Sequence, residues 1–505
     1  MRKNNIQKNS CNNRGNHQLI GAVLALILSG AATASDWKIT AGIGGTETYT
    51  DNVALTPAAN KKSDFITTIT PSISAKKDGA RLKVDVQYSM QNLFYAQDSA
   101  RNTLFHQLNA HANAVLYEKE VFLDTAASIS QTGISPLGAS GADNVNATNN
   151  LASVYTLTVS PYWIHRFGST ATLNTRYTLS SVTNSTDTFS GSNNSTFSTG
   201  LASGSAFGRY SWGLNYSQQT SAYQSRSDVT LATTSASLGY LVTPRLRLTG
   251  TVGQESNSFA TTTGTTPGGT FWNTAASWSP SIRTSIDLGY GHQFYGSSWN
   301  FAFKTRGPHS TWTADYSEGL NTSNNQFASS GLSVTAPTQQ RPADVFLFNQ
   351  NVLTNQVFLS KRFSTAFSWS KGKSDFSLAA FHSRQTTKID GNTSTVALSL
   401  VTTNITNNSD PFLLTNNITQ VGLNGSWNWK FSPLISSNVT LGVTRNAFSD
   451  LKRTDTTSIL QIGLNRQFST QLTGNVSLRH QARNSDQPAS DYTENSLSGS
   501  VNYKF

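Results

Sequence analysis

From Trp37 onward, apolar and polar side chains change places at nearly every step. Leu82, Val84, Val86, Tyr88 and Met90 interleave with Lys83, Asp85, Gln87 and Ser89. Tyr155, Leu157 and Val159 interleave with Thr156, Thr158 and Ser160, and Leu246, Leu248, Gly250 and Val252 with Arg247, Thr249 and Thr251. The same rhythm returns at Val421, Leu423, Trp427 and Trp429, and at Leu472, Val476 and Leu478. Successive residues of a strand point to opposite faces, so a period of two over such lengths predicts strands with one apolar and one polar face. No long stretch carries the three-to-four spacing of an amphipathic helix. The pattern predicts 22 strands, give or take two. Their starts fall near residues 37, 64, 80, 102, 120, 152, 169, 195, 208, 228, 244, 269, 282, 297, 309, 355, 374, 417, 433, 456, 468 and 492.

The connections alternate as well. Short turns are expected at Arg166–Gly168, Thr243–Arg245, Ser279–Ser281, Phe431–Pro433 and Gln467–Ser469. Longer loops rich in Asn, Ser, Thr and Gly are expected at 132–149, 183–194, 257–268, 321–354 and 386–416. Short turns on one side and long loops on the other are the asymmetry of outer-membrane barrels, periplasmic against extracellular. An even strand count then places both termini in the periplasm. Such a sheet must close on itself, because lipid cannot satisfy an open strand edge. A β-solenoid would need a short fixed repeat, and none is present. In a soluble two-sheet sandwich the aromatics would be core. Here they gather near strand ends, at Tyr162-Trp163, Trp427/Trp429 and Tyr503/Phe505, as in interfacial girdles.

Both ends of the chain fit export. Val501, Tyr503 and Phe505 form an apolar face ending on a terminal aromatic, which resembles the assembly signal of bacterial outer-membrane barrels. At the other end, Arg2, Lys3, Lys8 and Arg14 precede the apolar run Leu19–Leu28 and then Ala32-Thr33-Ala34. That is the layout of a secretory signal peptide, with cleavage expected after Ala34. The run is too short for a helical span, which needs about 20 apolar residues. The expected organisation is a signal at 1–34 and a single barrel domain at 35–505. Cys11 leaves with the signal, so the mature chain has no disulfide, thiol catalyst or cysteine metal ligand.

Composition sharpens the class. Only 12% of residues are charged, yet mean hydropathy is −0.34. A wall with lipid on one side and water on the other has this balance; a soluble protein of this size seldom does. The formal charge of +11 includes +4 from the four basic residues of the signal, leaving +7 on the mature chain. That excess permits an anionic ligand without requiring one.

No enzyme motif stands out. His106 and His111 are five apart and face opposite sides of a strand, and no H-x-H, H-E-x-x-H or cysteine cluster is present. His480 among many serines carries no weight as a hydrolase centre. No catalytic residue, cofactor or metal is expected. A pore remains. If apolar positions face lipid, then Lys83, Asp85, Arg176, Arg247, Asp287, Asp315 and Arg479 line the lumen, either guiding an anionic polymer or pairing with one another. Twenty-two strands enclose a wide lumen, and no separate plug domain is expected before the first strand, so an internal loop narrows the pore, or it stays open, or a partner fills it. Segment 321–354, with the apolar Asp344-Val-Phe-Leu-Phe348, is therefore expected to fold inward, or else to form a short extra extracellular strand.

Several short motifs carry a family resemblance: Thr46-Glu-Thr-Tyr-Thr-Asp-Asn-Val53, Ser63-Asp-Phe65, Ile69-Thr-Pro71, His106-Gln-Leu108, Ser160-Pro-Tyr-Trp163 and Val357-Phe-Leu-Ser-Lys-Arg362. As a set, spread over most of the mature chain, they resemble the uncharacterised outer-membrane barrels associated with the PEP-CTERM/exosortase system. The resemblance implies a setting beside exopolysaccharide synthesis and export, and supplies no catalytic or binding residues. The expectation is a monomeric barrel of the bacterial outer membrane. Its partners would be lipid, the barrel-assembly machinery and, through that resemblance, polysaccharide or periplasmic export components; no nucleic acid is expected. The alternatives are a general solute porin, an adhesive or structural surface protein, and a sheath for a partner.

Overall fold

The computed structural model describes residues 37–186, 189–224, 227–259, 267–332, 353–387 and 410–505. The expected signal peptide, Cys11 and the apolar Asp344–Phe348 stretch lie outside these residues. The described chain forms one 22-stranded sheet in which each strand pairs with its sequence neighbour. The strands run from β1 (Trp37–Thr50) to β22 (Tyr492–Lys504). The ring closes where β1 pairs antiparallel with β22, from Gly42↔Lys504 to Thr50↔Ser496. Each predicted start lies within four residues of an observed strand start. The largest offset is at β21, expected near 468 and observed from Leu472. Strands of 10 to 17 residues meet or exceed the ~9–11 residues a tilted strand needs to span a bilayer.

The wall is thin and two-faced. Ile39, Ile43 and Tyr49 on β1 face outward with Phe65, Ile69 and Ile73 on β2 (Asp64–Asp78), all of them exposed. Around the ring the outward set continues through Leu214, Leu238, Val252, Leu288, Trp299, Trp312, Trp427, Trp429, Leu441, Leu460 and Leu478. Exposed large apolar side chains on so many strands form a lipid-facing band. Trp163 belongs to it, but its neighbour Tyr162 does not. Tyr162 points inward, stacking on Phe122 at 4.8 Å and lying under the Arg176 guanidinium at 4.0 Å. Only one member of that pair joins the girdle, because adjacent residues of a strand cannot share a face.

The turns at one end are short. Pro244–Arg245, 282–283, 372–373 and 433–434 each join two strands directly. Gly168 and Gly372 sit in such turns with φ of 56° and 60°, a left-handed conformation that costs glycine little. At the other end are 51–63, 134–150 and the described parts of the connections after β15 and β17, 322–332 with 353–357 and 387 with 410–416. The short-turn end is periplasmic by the usual asymmetry, and both ends of the described chain lie there.

Candidate functional site

Most buried apolar clusters among the described residues sit inside the long-loop end of the barrel, and one loop organises them; the cluster of Leu108, Ala110 and Ala127 lies instead on the outward face. It joins β5 (Val121–Gly133) to β6 (Leu151–Phe167) and spans 134–150. Instead of standing in solvent it folds inward. Val145 packs with Val53, Ile66, Leu93 and Tyr95, on or beside β1–β3. Leu137 packs with Phe358, Ile418 and Phe448, at the mouth ends of β16 (Phe358–Lys371), β18 (Asn417–Ser432) and β19 (Ile435–Phe448), and with Phe412 in the connection before β18. Those strands are about half the ring away from β5 and β6, so the loop crosses the mouth.

Its own hydrogen bonds shape the crossing. The Asn150 side chain accepts from the Ser135 amide at 2.9 Å and donates to the Ser135 and Ala139 carbonyls at 2.8 and 3.2 Å. Gly138 and Gly141 lie so close to Asn150 and Asn146 that an added Cβ would come within 2.5 Å of each.

Charge fixes the loop to the wall. Arg453 and Asp455 on β20 (Arg453–Gln467), Arg479 and Arg483 on β21 (Leu472–Ser485), and Glu494 on β22 all face inward and are buried. Arg483 donates to the carbonyls of Gly138, Leu137 and Pro136 and to Asp455. Arg453 donates to the Leu137 carbonyl at 3.0 Å and to Asp455 at 2.9 Å. Arg479 reaches Asp143 on the loop and Glu494 at 3.0 Å on the wall. Glu494 also accepts from Thr50 at 2.8 Å and Asn146 at 3.3 Å. Charged groups hidden from water must be paired and hydrogen-bonded, and each of these five is. Tyr95 and Tyr492 add hydroxyl bonds to the Val145 and Ser140 carbonyls at 2.9 and 3.0 Å.

A second inward element comes from the expected segment. Helix α1 (Ser323–Leu332) packs against β5, β6 and β7 (Ala171–Asn184). Phe327 enters a cluster with Ile134, Ala152, Val154, Val182 and Phe189. Asn324 donates to Ser192 at 2.7 Å. Asp410 ties this loop to the next, accepting from Thr354 and the Asn355 amide, each at 2.9 Å. The described part of 321–354 is thus a helix against the inner wall near the mouth, and no extra strand forms among its described residues.

The seven lumen candidates all face inward, in three different states. Arg479 is part of the buried clamp. Lys83, Asp85 and Arg176 are paired, with Asp78 at 3.3 Å, Lys76 at 3.9 Å and Asp124 at 2.9 Å. Arg247 and Asp315 contact only serine hydroxyls, Ser211 at 3.1 Å and Ser364 at 2.8 Å. Asp287 shows no ion pair among the described residues. Asp315, with Asn215, Ser217, Asn300 and Ser317, keeps an exposed, inward-facing surface on β9 (Tyr210–Tyr223), β14 (Gly296–Arg306) and β15 (Ser310–Asn321). A polar passage therefore remains along that sector. The terminal Val501 and Tyr503 face outward, and the Phe505 ring packs edge-on against Tyr503 at 5.1 Å.

Sequence reasoning missed the role of 134–150, along with Arg453, Asp455, Arg483 and Glu494. The available signal was Ile134, Leu137 and Val145 spaced through an otherwise polar loop, together with inward-parity arginines at 479 and 483.

Among the described residues no group of His, Cys, Asp and Glu is placed to hold a metal ion. No protein-family model matches the chain, and no curated protein matches it in sequence. Solved structures do match in fold. The FrpB iron transporter of Neisseria meningitidis superposes with a TM-score of 0.50 at 9% identity, covering 94% of this chain and 82% of that one. The siderophore receptor PirA of Pseudomonas aeruginosa gives 0.45 at 11% identity, over 93% and 80%. The outer membrane protein OpdK of Pseudomonas aeruginosa gives 0.37 at 11%, over 93% and 99%. At such identities the likeness is one of fold. Together with the closed antiparallel ring and its lipid-facing band, the FrpB likeness makes this chain a 22-stranded β-barrel of the outer membrane.

Proposed function

We propose that the protein is a channel for hydrophilic solutes, narrowed at its extracellular mouth by the loop 134–150. The observation that carries this is the loop's path. Rooted at β5 and β6, it is held by buried arginines of β20 and β21 and by apolar packing at β16, β18 and β19, about half the ring from its roots, while the β9–β15 sector keeps exposed Asn, Ser and Asp groups. A loop fixed in this way sets a size limit, and the free sector supplies a wet path. The FrpB iron transporter is a likeness of fold and is consistent with transport. Membership of the exosortase-associated barrels, and with it passage of exopolysaccharide, rests on the sequence motifs; a mouth crossed by a tethered loop favours solutes smaller than a polymer.

The test is single-channel recording of the mature protein in planar bilayers, with neutral polyethylene glycols of graded size added to each side. Discrete conductance steps are expected, with a smaller exclusion size from the extracellular side than from the periplasmic side. No conductance would overturn the channel reading and favour a sheath or surface scaffold.

A further inference from the structure

The periplasmic end of the lumen has a chemistry the mouth does not. Strand parity identifies which basic residues there point inward. Ile39 and Ile43 face lipid, so Lys38 on β1 faces the lumen, and Val501 and Tyr503 place Lys504 on β22 likewise. Trp163 and Phe167 face out, which turns Arg166 on β6 inward. Leu248 and Val252 do the same for Arg247 on β11 (Leu246–Ser258), and Trp299 with its alternate partners Phe301 and Phe303 for Lys304 and Arg306 on β14. All six are exposed, and each lies within the last few residues of its strand at the short-turn end.

None of the six has an acidic partner among the described residues. The acids of the same zone are largely engaged elsewhere: Asp78 with Lys83, Asp85 with Lys76, and Asp375 with Lys430 at 3.2 Å. Asp287 and Asp315, both level with Ala302 on the strands either side of β14, are acids without an ion pair there, two against six cations. The two ends therefore differ in kind. At the mouth, arginines are buried and neutralised by Asp143, Asp455 and Glu494. At the periplasmic rim, cations on β22 and β1, β6, β11 and β14 stand in water around the ring.

We infer that these six residues, Lys38, Arg166, Arg247, Lys304, Arg306 and Lys504, form an anion-capture collar that draws solutes bearing several carboxylates or phosphates into the lumen from the periplasmic side. Rings of Lys and Arg lining a pore select anions. Like charges facing one water-filled space sum their fields and raise the local concentration of counter-charged solute. Charge at one end alone also makes the current depend on the sign of the voltage. This deepens the channel reading and rests on it for transport, although anion binding does not require conduction.

The experiment compares the mature wild type with a variant in which all six are replaced by Gln. The first measurement is the reversal potential in bilayers under about a tenfold KCl gradient, where the charges are only partly screened. The wild type is expected to prefer chloride by about threefold or more and to rectify, and the variant to lose both. Citrate and polygalacturonate are then added to each side in turn, with dextran as the neutral control. Block by citrate alone identifies small polyanions as the ligand, and block by polygalacturonate identifies acidic polymers. A non-selective or cation-selective wild type, an unchanged variant, or dextran blocking as well as polygalacturonate would overturn the collar. If no current flows at all, the channel reading fails separately. The collar is then judged by low-salt binding of citrate and polygalacturonate to the detergent-solubilised barrel. The wild type must bind one of them and the variant must not. Heat-modifiable gel mobility establishes that the variant is folded.

Discussion

Arg483 and Arg247 are both inward-facing arginines of one barrel wall, yet they live in different media. Arg483 is buried at the mouth, with every bond directed at Asp455 or at the carbonyls of loop 134–150. Arg247 is exposed near the other rim, with one bond to the Ser211 hydroxyl. The difference comes from what lies over each residue, and the strand pattern is the same for both. A cation beneath a folded loop becomes a structural tie, because leaving it unpaired costs far more than pairing it gains. A cation facing open water adds almost nothing to stability and keeps its charge available to solutes. The mouth is where this wall spends its arginines on shape, and the rim is where it presents them.

The most severe way to break this contrast is to remove the cover. Replacing 136–148 with a short Gly-Ser link should strand Arg453, Arg479 and Arg483 in a widened mouth. Conductance in bilayers should rise about threefold or more, and the difference in polymer exclusion between the two sides should vanish. A narrower test takes one arginine from each end. Arg483→Ala leaves Asp455 with Arg453 alone and the Gly138 and Pro136 carbonyls without their donor, so the folded barrel should lose about 3–5 kcal/mol. Arg247→Ala should stay within about 0.5 kcal/mol of wild type. Urea unfolding in lipid vesicles reads both, and equal losses would sink the distinction.

The smallest expected effect is at a periplasmic turn. Glu120 accepts from the Trp163 indole at 3.3 Å and from His165, and these bonds, the Trp163 bond foremost, hold its carboxyl below the usual carboxylate range. A depressed carboxyl stabilises the fold above its unfolded pKa and loses that contribution as pH falls through the folded value. Glu120→Gln should therefore lower the melting temperature slightly at neutral pH, and the difference should disappear in acid. A difference that grew on acidification would contradict the assignment.

The strands were legible in the sequence because the membrane imposes a local rule. Each residue answers to its immediate neighbours, so the alternation at Leu472, Val476 and Leu478 places β21 with no knowledge of the rest of the chain. Short turns such as Pro244–Arg245 follow from the same local logic. The loop 134–150 obeys no local rule. Arg483 meets Gly138 across 345 positions of sequence, and Tyr492 meets Ser140 across 352. Its Gly, Ser and Asn content reads as solvated loop, and only the closed ring brings the arginines over it. The lumen residues were half legible for the same reason. Parity placed Lys83, Asp85, Arg176, Arg247, Asp287, Asp315 and Arg479 inside, but whether each was paired, buried or bare depended on elements far away in the chain.

The seam between β1 and β22 bears on the order in which this molecule can come into being. Thr48 and Ser498 share a hydrogen bond at 3.0 Å across 450 positions, and nine Cα pairs, Gly42↔Lys504 through Thr50↔Ser496, join the two strands. A ribosome makes β1 first and its second neighbour last. Until β22 arrives, the first strand has one bare flank, a template for any extended peptide that meets it. The chain must therefore stay held and unfinished through its passage across the periplasm, and the ring can be completed only as a single terminal event. Such long-range pairing is slow by its topology, which makes the time between synthesis and closure the most hazardous part of this protein's life.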